Sequence, residues 1–228
     1  MIFPKLVFGQ FLHRDNRFRA TVNVNGQKAW AHVPNSGRLS DLFIPGTPIW
    51  LAPAQKPNRK TAFDLKLVEH GPVLVSVDAR LPNPLFAEAL IAKKLPDFDY
   101  ANIDPEVYLN DSRIDFRLSG PNEVCWVETK SVTLVVEGIA KFPDAPTSRG
   151  RRHLLELIRA RARGNRAAVV FIIQRPDAFG FGPHQEADPE FAVALEHAIQ
   201  AGVEVRAFTC RVTLESICVV REIPVEIS

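Results

Sequence analysis

Seven consecutive apolar residues, Ala167 to Ile173, leave no position in that stretch suited to face water. The run is short and rich in β-branched side chains, so it reads as a strand covered on both faces. Such a strand needs a layer above it and a layer below, which commits this part of the chain to a mixed α/β architecture. It is also the longest apolar run, far short of the roughly 20 residues that a bilayer-spanning helix requires, so no membrane partner is expected. The opening segment MIFPKLVFGQFLHR is broken by Pro4, Lys5 and Gly9 and does not read as a signal peptide, which makes the cytoplasm the expected location. Cys125, Cys210 and Cys218 form no metal-ligand or disulfide spacing and are expected to be small buried hydrophobes.

The 228 residues carry 28 Lys and Arg against 26 Asp and Glu, a formal charge of +2 that by itself says nothing about a polyanionic partner. The distribution is more informative. Residues 1–80 hold 11 Lys and Arg and 5 Asp and Glu, whereas residues 81–228 hold 17 and 21. The basic first part is a series of short apolar or alternating runs, at 6–12, 18–24, 28–33, 48–51, 63–68 and 73–77, separated by Asn25-Gly26, Pro45-Gly46 and Gly71-Pro72. Short strands with turn residues between them predict a small β-barrel, and five strands of the OB type fit residues 1–80.

Past Arg80 the pattern changes. LPNPLFAEALIAKKL reads as a helix with Asn83 as its N-cap and Pro84 in its first turn. Residues 112–118, a turn at 119–123 and residues 124–137 read as a hairpin running on into further strand. A basic helix over about 148–163, the buried strand, a loop around Gly180 and Gly182, and a helix capped by Asp188, begun by Pro189 and ended by Gly202 follow. Two last strands, VEVRAF and SICVVREI, complete a mixed α/β domain over 81–228.

The chemistry concentrates in that hairpin. If it folds about Pro121, Asp115 faces Glu128 across the ladder, and Glu128 and Lys130 emerge on one face. Two carboxylates so close repel, which favours a shared proton or a bound cation, and Mg²⁺ or Mn²⁺ suits oxygen ligands. Such an ion activates water and polarises a phosphate oxygen while Lys130 stabilises developing charge, the chemistry of phosphodiester hydrolysis. A charged hairpin face in water is the alternative. The apolar residues around the pair, Val124, Trp126, Val127 and Val132 to Val136, argue against it, because a strand buried on both faces does not carry Glu and Lys without partners. Glu88, within the nearly apolar LFAEALIA, is a candidate third metal carboxylate or a solvent-facing position on the helix edge.

Between Ser148 and Arg166 stand seven arginines and a single acid, Glu156. Helical spacing makes Leu154, Leu155, Ile158 and Ala162 the expected inward stripe and places Arg152, Arg159 and Arg163 on a common outward face. Guanidinium forks suit phosphate, so this helix is the candidate nucleic-acid surface, with a plain solvated face as the alternative. Arg14, Arg17 and Arg19, near Phe11 and Phe18, form a weaker basic and aromatic mixture that also fits an ordinary strand edge. Six histidines show no metal-ligand spacing, and no nucleotide fingerprint or nucleophile motif occurs.

HVPNSGRL (32–39), LPNPLFAEAL (81–90), SRIDF (112–116), VETKSVTL (127–134), FPDAPTSRGRRHLLEL (142–157) and DPEF followed by AGVEV (188–205) together resemble the sugar fermentation stimulation protein (SfsA) family. The resemblance implies an N-terminal OB-like barrel joined to a nuclease-like domain of the PD-(D/E)xK class, and a DNA-binding protein linked to transcription regulation of sugar (maltose) metabolism. The Asp, Glu and Lys of that class map onto Asp115, Glu128 and Lys130, with Ile114 where the class normally has proline. Arg149, Arg151, Arg152 and His153 would lie beside the site, with Arg149 and His153 as candidates for phosphate or metal-water contacts. Two functions follow as expectations. One is a binder of double-stranded DNA. The other is a Mg²⁺- or Mn²⁺-dependent nuclease with Asp115, Glu128 and Glu88 as metal ligands, acting on DNA or RNA. Nuclease-like folds also serve proteins that only bind, so the fold leaves the choice open.

Overall fold

The computed structural model describes residues 1–55 and 59–227. Its first third is a barrel of five strands, β1 (Val7–Asn16), β2 (Arg19–Val24), β3 (Gln27–His32), β4 (Pro48–Pro53) and β5 (Phe63–His70), with β6 (Val73–Ser76) added at the edge of β5. A short parallel pairing of β3 with β5 closes it, in the order β1-β2-β3-β5-β4. Every second residue points inward, so Phe11, Val22, Ala31, Ile49, Leu51, Leu65 and Val75 fill the interior. The Asn25-Gly26 turn takes positive φ at both residues, the conformation that a two-residue hairpin requires.

Helix α1 (Pro82–Ile91) and a 3₁₀ turn (Pro96–Phe98) lead into a six-stranded mixed sheet. It contains β7 (Asn102–Leu109), β8 (Ser112–Ser119), β9 (Val124–Val132), β12 (Arg166–Ile173), β14 (Glu204–Val212) and β15 (Ile217–Ile223), ordered β15-β14-β12-β9-β8-β7. Strands β9, β12 and β14 are parallel, and β12 lies between the other two. The apolar run alternates between two cores. Ala168, Val170 and Ile172 face α1, whereas Ala167, Val169, Phe171 and Ile173 face α2 (Ser148–Ala162) and α3 (Pro189–Gln200). Three small strands, β10 (Val135–Val136), β11 (Ile139–Phe142) and β13 (Gly180–Pro183), form a satellite sheet beside them. Among the described residues no helix is long and apolar enough to cross a membrane.

A polar seam joins the two halves. Gln174, just past β12, accepts a hydrogen bond from the Ser76 hydroxyl of β6 at 3.0 Å and donates to the Asp78 carbonyl at 3.1 Å and the Ser131 hydroxyl at 2.7 Å. Asp78 is itself buried and held by Lys66 and Arg80 at 2.9 and 2.7 Å. The chain therefore turns from the barrel into α1 around satisfied polar groups.

Three local expectations need correction, and one strand goes unread. Helix α1 starts at Pro82 with Leu81 as its N-cap, which releases the Asn83 side chain from capping. Strand β7 escapes a propensity reading because Asp104, Pro105 and Glu106 interrupt it, which an edge strand tolerates. The Gly180–Pro183 segment, which reads as a loop, is strand β13, paired in parallel with β11. Finally, α2 is rotated from the expected stripe: Leu157 is fully buried, whereas Leu155 is 52% exposed and Ala162 lies outside. The cause is that His153 and Glu156 share the inner face, so a purely apolar stripe has the wrong phase. Leu157→Ala should therefore cost about 2–5 kcal/mol of stability and Leu155→Ala less than about 1 kcal/mol. Urea unfolding of both variants checks this, and equal losses would contradict the observed phase.

Candidate active site

A cleft of about 730 Å³ opens between the barrel and the C-terminal sheet. Its barrel side carries Arg17, the loop Asn35-Ser36-Gly37 and Arg80, and its other wall carries Asn83, Asp115, Glu128, Thr129, Lys130, Asp144 and Arg149. The loop is fixed from behind by Arg14, whose guanidinium donates to the carbonyls of Arg17, Asn35, Gly37 and Arg38 at 2.6–2.9 Å. Arg14 is thus a brace rather than a surface cation, and Phe11 belongs to the barrel core. Gly37 lies so close to Asp144 that a Cβ there would sit 2.3 Å from Asp144 Oδ2 and would have to displace that carboxylate.

Strand β9 supplies the central residues. Glu128 and Lys130 share a face, and they form an ion pair on strand neighbours that are otherwise buried. His153, 2% exposed on the inner face of α2, meets the same oxygen, Oε1 of Glu128, through Nδ1. Arg149 donates from Nε to His153 Nε2 at 3.3 Å, so Nε2 accepts and Nδ1 carries the proton given to Glu128. Burial alone would raise the Glu128 carboxyl, but the Lys130 ammonium and the His153 hydrogen bond outweigh it and hold the group below its usual range. Glu128 Oε2 is buried and, among the described residues, has no hydrogen-bond partner.

Asp115 takes a different place from the one expected. The β8–β9 ladder runs in the anticipated register from Ser119↔Val124 to Phe116↔Val127 and stops one pair short of Glu128. The Asp115 carboxylate accepts instead from the Thr129 amide at 2.8 Å, the Thr129 hydroxyl at 3.0 Å and Asn83 Nδ2 at 2.8 Å. Three donors satisfy it better than a facing carboxylate would. The Thr129 hydroxyl shares its one proton between Asp115 and Asn83 Oδ1, so α1 and β9 hold Asp115 jointly at the cleft. Asn83 and Thr129 are the site residues that sequence reasoning passes over. Both lie in recognisable motifs, LPNPLF and VETKS, but without the helix start the role of Asn83 is hidden.

Glu88 does not join this group. It is exposed on α1, does not line the cleft, and pairs with the amino group of Met1 at 2.9 Å. Among the described residues no group of three or more His, Cys, Asp and Glu side chains is placed to hold a metal ion. What converges is two carboxylates, one with an unshared buried oxygen, and a lysine.

The arginine-rich helix is less free than its charge suggests. Arg151 is paired with Asp188 and Glu190 at 2.9 Å, Arg159 with Glu156, and Arg166, at the start of β12, with Glu204. Arg163 is exposed and donates to Asn110. Arg152 is exposed, and Arg149 alone of the seven lines the cleft. His153 is sealed beneath the surface and cannot touch a nucleic acid. A separate cavity of about 480 Å³ lies beside the 3₁₀ turn and β15, but the two carboxylates that line it, Asp97 and Glu222, are both taken by Arg206.

Residues 80–216 match the family described as sugar fermentation stimulation protein RE domain, and residues 12–77 match the SfsA N-terminal OB domain. A sugar fermentation stimulation protein homolog of Desulforamulus reducens is 43% identical over 228 residues, covering 100% of this chain and 95% of that protein. A homolog of the same description from Thermoanaerobacter sp. is 44% identical and covers 93% of each chain. The structure of Pyrococcus furiosus SfsA in complex with Ca²⁺ superposes with a TM-score of 0.90 at 33% identity, covering 99% of this chain and 98% of that one.

The Glu128 carboxyl, held below its ordinary value of 4.5, contributes stability that is present above that pH and lost as pH falls through the lower folded value. Lys130→Met should reverse the balance, leaving burial dominant. The expected loss is about 3–5 kcal/mol near neutrality. It should shrink as pH falls toward about 4 and Glu128 takes a proton in the folded variant. Urea unfolding at both pH values in chelator checks this, and a pH-independent loss would assign the effect to packing.

Proposed function

The chain belongs to the sugar fermentation stimulation protein family, and from that premise we propose that it binds DNA in the cleft between its two halves and hydrolyses phosphodiester bonds there with a divalent cation, Mg²⁺ or Mn²⁺. The observation that carries this reading is the buried, unshared Oε2 of Glu128, in the same cleft as Asp115 and with Lys130 beside it. A buried carboxylate oxygen without a donor is costly unless something positive meets it. Two carboxylates suffice for Mg²⁺, which keeps several of its waters. The complex of the Pyrococcus furiosus relative with Ca²⁺ supports a divalent ion in a protein of this fold.

Asp115 and Glu128 would hold the ion. It would supply an activated water and polarise the scissile phosphate. Thr129 and Asn83 keep the Asp115 carboxylate in place with three hydrogen bonds. Lys130 lies where it can orient the water or stabilise charge developing on phosphate. Arg149 on one wall and Arg17 on the other present guanidinium groups to the flanking phosphates.

Binding without cleavage, the mode of a transcription regulator of sugar (maltose) metabolism, draws support from a different observation. Lys130 and His153 already share Glu128 Oε1, so the cleft is assembled by its own residues. Incubating the protein with labelled single- and double-stranded DNA and RNA in Mg²⁺, Mn²⁺ or EDTA, beside Lys130→Ala, separates the two. Cleavage should require the metal and fall at least about 100-fold in the variant. Cleavage that persists in EDTA or in the variant would overturn the mechanism, and binding with no cleavage under any condition would leave the regulator reading. Each phosphate contact contributes roughly −0.9 to the log–log salt slope on duplex DNA. Arg17→Ala with Arg149→Ala should flatten that slope by about 2. An unchanged slope would move the binding surface out of the cleft.

A further inference from the structure

The outer face of β2 and β3 carries groups that the cleft does not use. Phe18 is 49% exposed and Trp30 46% exposed, both on a barrel whose core is complete without them. Arg19 lies with its guanidinium 4.4 Å from the centroid of the Trp30 ring, beside Asp15 at 3.7 Å. His32, two residues along β3 from Trp30, donates from Nδ1 to the Phe18 carbonyl at 3.0 Å, and its ring stands 6.4 Å from that of Phe18. These are stacking surfaces interleaved with cations.

The patch is continuous with the cleft along two lines. Arg17, which precedes Phe18 in the chain, lines the cleft. Arg80 lines both the cleft and a barrel groove of about 510 Å³ that also contains His32, Arg59 and Lys66. Among the described residues one carboxylate, Asp64, faces that groove, held by Arg59 through two hydrogen bonds at 2.7 and 3.1 Å, while Lys66 and Arg80 pair with the buried Asp78. The barrel part of the chain is the basic part, with 11 Lys and Arg against 5 Asp and Glu over residues 1–80.

We propose that this face, from Arg17 and Phe18 through His32 to the Arg19–Trp30 pair, binds a single-stranded DNA segment leaving the cleft, so that the preferred ligand is a duplex with a single-stranded tail. This rests on the DNA reading of the cleft. Aromatic faces and guanidinium planes stack any base, whereas the base faces of a closed duplex are hidden in its own stack. The alternation of ring and cation along one path therefore fits an unpaired strand and gives a paired one little to gain.

Fluorescence polarisation with a labelled blunt duplex and the same duplex carrying a twelve-nucleotide dT tail tests this on the full-length protein, with EDTA present to prevent cleavage. The tail should tighten binding by about fivefold to 100-fold, in keeping with stacking of one or two bases. Phe18→Ala and Trp30→Ala should each erase most of that gain and leave blunt-duplex affinity unchanged, and Trp30→Phe should retain it. Thermal melting confirms that these exposed substitutions leave the barrel folded. A tail that adds no affinity, or a gain that survives both alanine variants, overturns the proposal. So does concentration-dependent self-association lost in Trp30→Ala, which would assign the face to a second copy. Lys130→Ala separates this idea from the hydrolytic one: tail affinity kept while cleavage is absent in every protein would sustain the barrel face and defeat hydrolysis. Cleavage of blunt duplex without any tail effect would do the reverse.

Discussion

Glu128 is a carboxylate at 2% exposure on a strand flanked by apolar neighbours, and much of the surrounding arrangement answers that burial. An ionised carboxylate removed from water is unstable unless it is paired and hydrogen-bonded. Lys130 supplies the countercharge from the same strand face, and His153 supplies a hydrogen-bond donor from α2. For His153 to reach, α2 must turn its polar residues 153 and 156 inward, and that sets the phase in which Leu154, Leu157 and Ala160 pack. Arg149 then falls one turn before His153, bonded to it and open to the cleft. One buried charge thereby fixes a helix, an imidazole tautomer and the position of an exposed cation.

The opposite wall depends on polar contacts that cross between the halves of the chain. Arg14 braces the 35–38 loop from within the barrel, and the Leu39 amide donates to Asp144 from the other half at 3.3 Å. Gln174 connects Ser76 of the barrel to Ser131, the residue after Lys130. A shift of the barrel would therefore be felt at the strand end that carries Glu128 and Lys130. Polar contacts suit such a seam because they are directional: an apolar seam could slide, whereas these bonds exist in one register.

The sequence announces some of this and conceals the rest for definite reasons. The barrel strands show through alternation and turn residues, which are local, and β12 shows through uninterrupted apolarity. The shared face of Glu128 and Lys130 follows from strand periodicity alone. Contacts made between distant residues do not show: the seven arginines count as a basic surface until Arg151 meets Asp188, 37 residues away, and Arg166 meets Glu204, 38 residues away. The phase of α2 is misread because a buried His and Glu look hydrophilic until their partners are known. Asn83 looks like a cap because asparagine is a good one, yet Leu81 and Pro82 start the helix and leave it to Asp115. Each miss concerns a polar residue whose role is set by tertiary pairing rather than by its neighbours in sequence.

That pairing also bears on how the cleft could attract a polyanion. Its lining includes Arg17, Arg80, Lys130 and Arg149 on one side of the ledger and Glu106, Asp115, Glu128 and Asp144 on the other, so the lining is electrically balanced. A balanced surface gives a phosphate chain little long-range attraction, and Lys130 is already held by Glu128. If the cleft takes a divalent cation as proposed, the lining and the ion together carry a net charge of two positive units, and Glu128 divides its charge between the ion and Lys130. The ammonium is then freer to face phosphate. In such a site the metal and the nucleic acid favour one another without any conformational change, because each reduces the electrostatic cost of the other, and the coupling weakens as salt screens it.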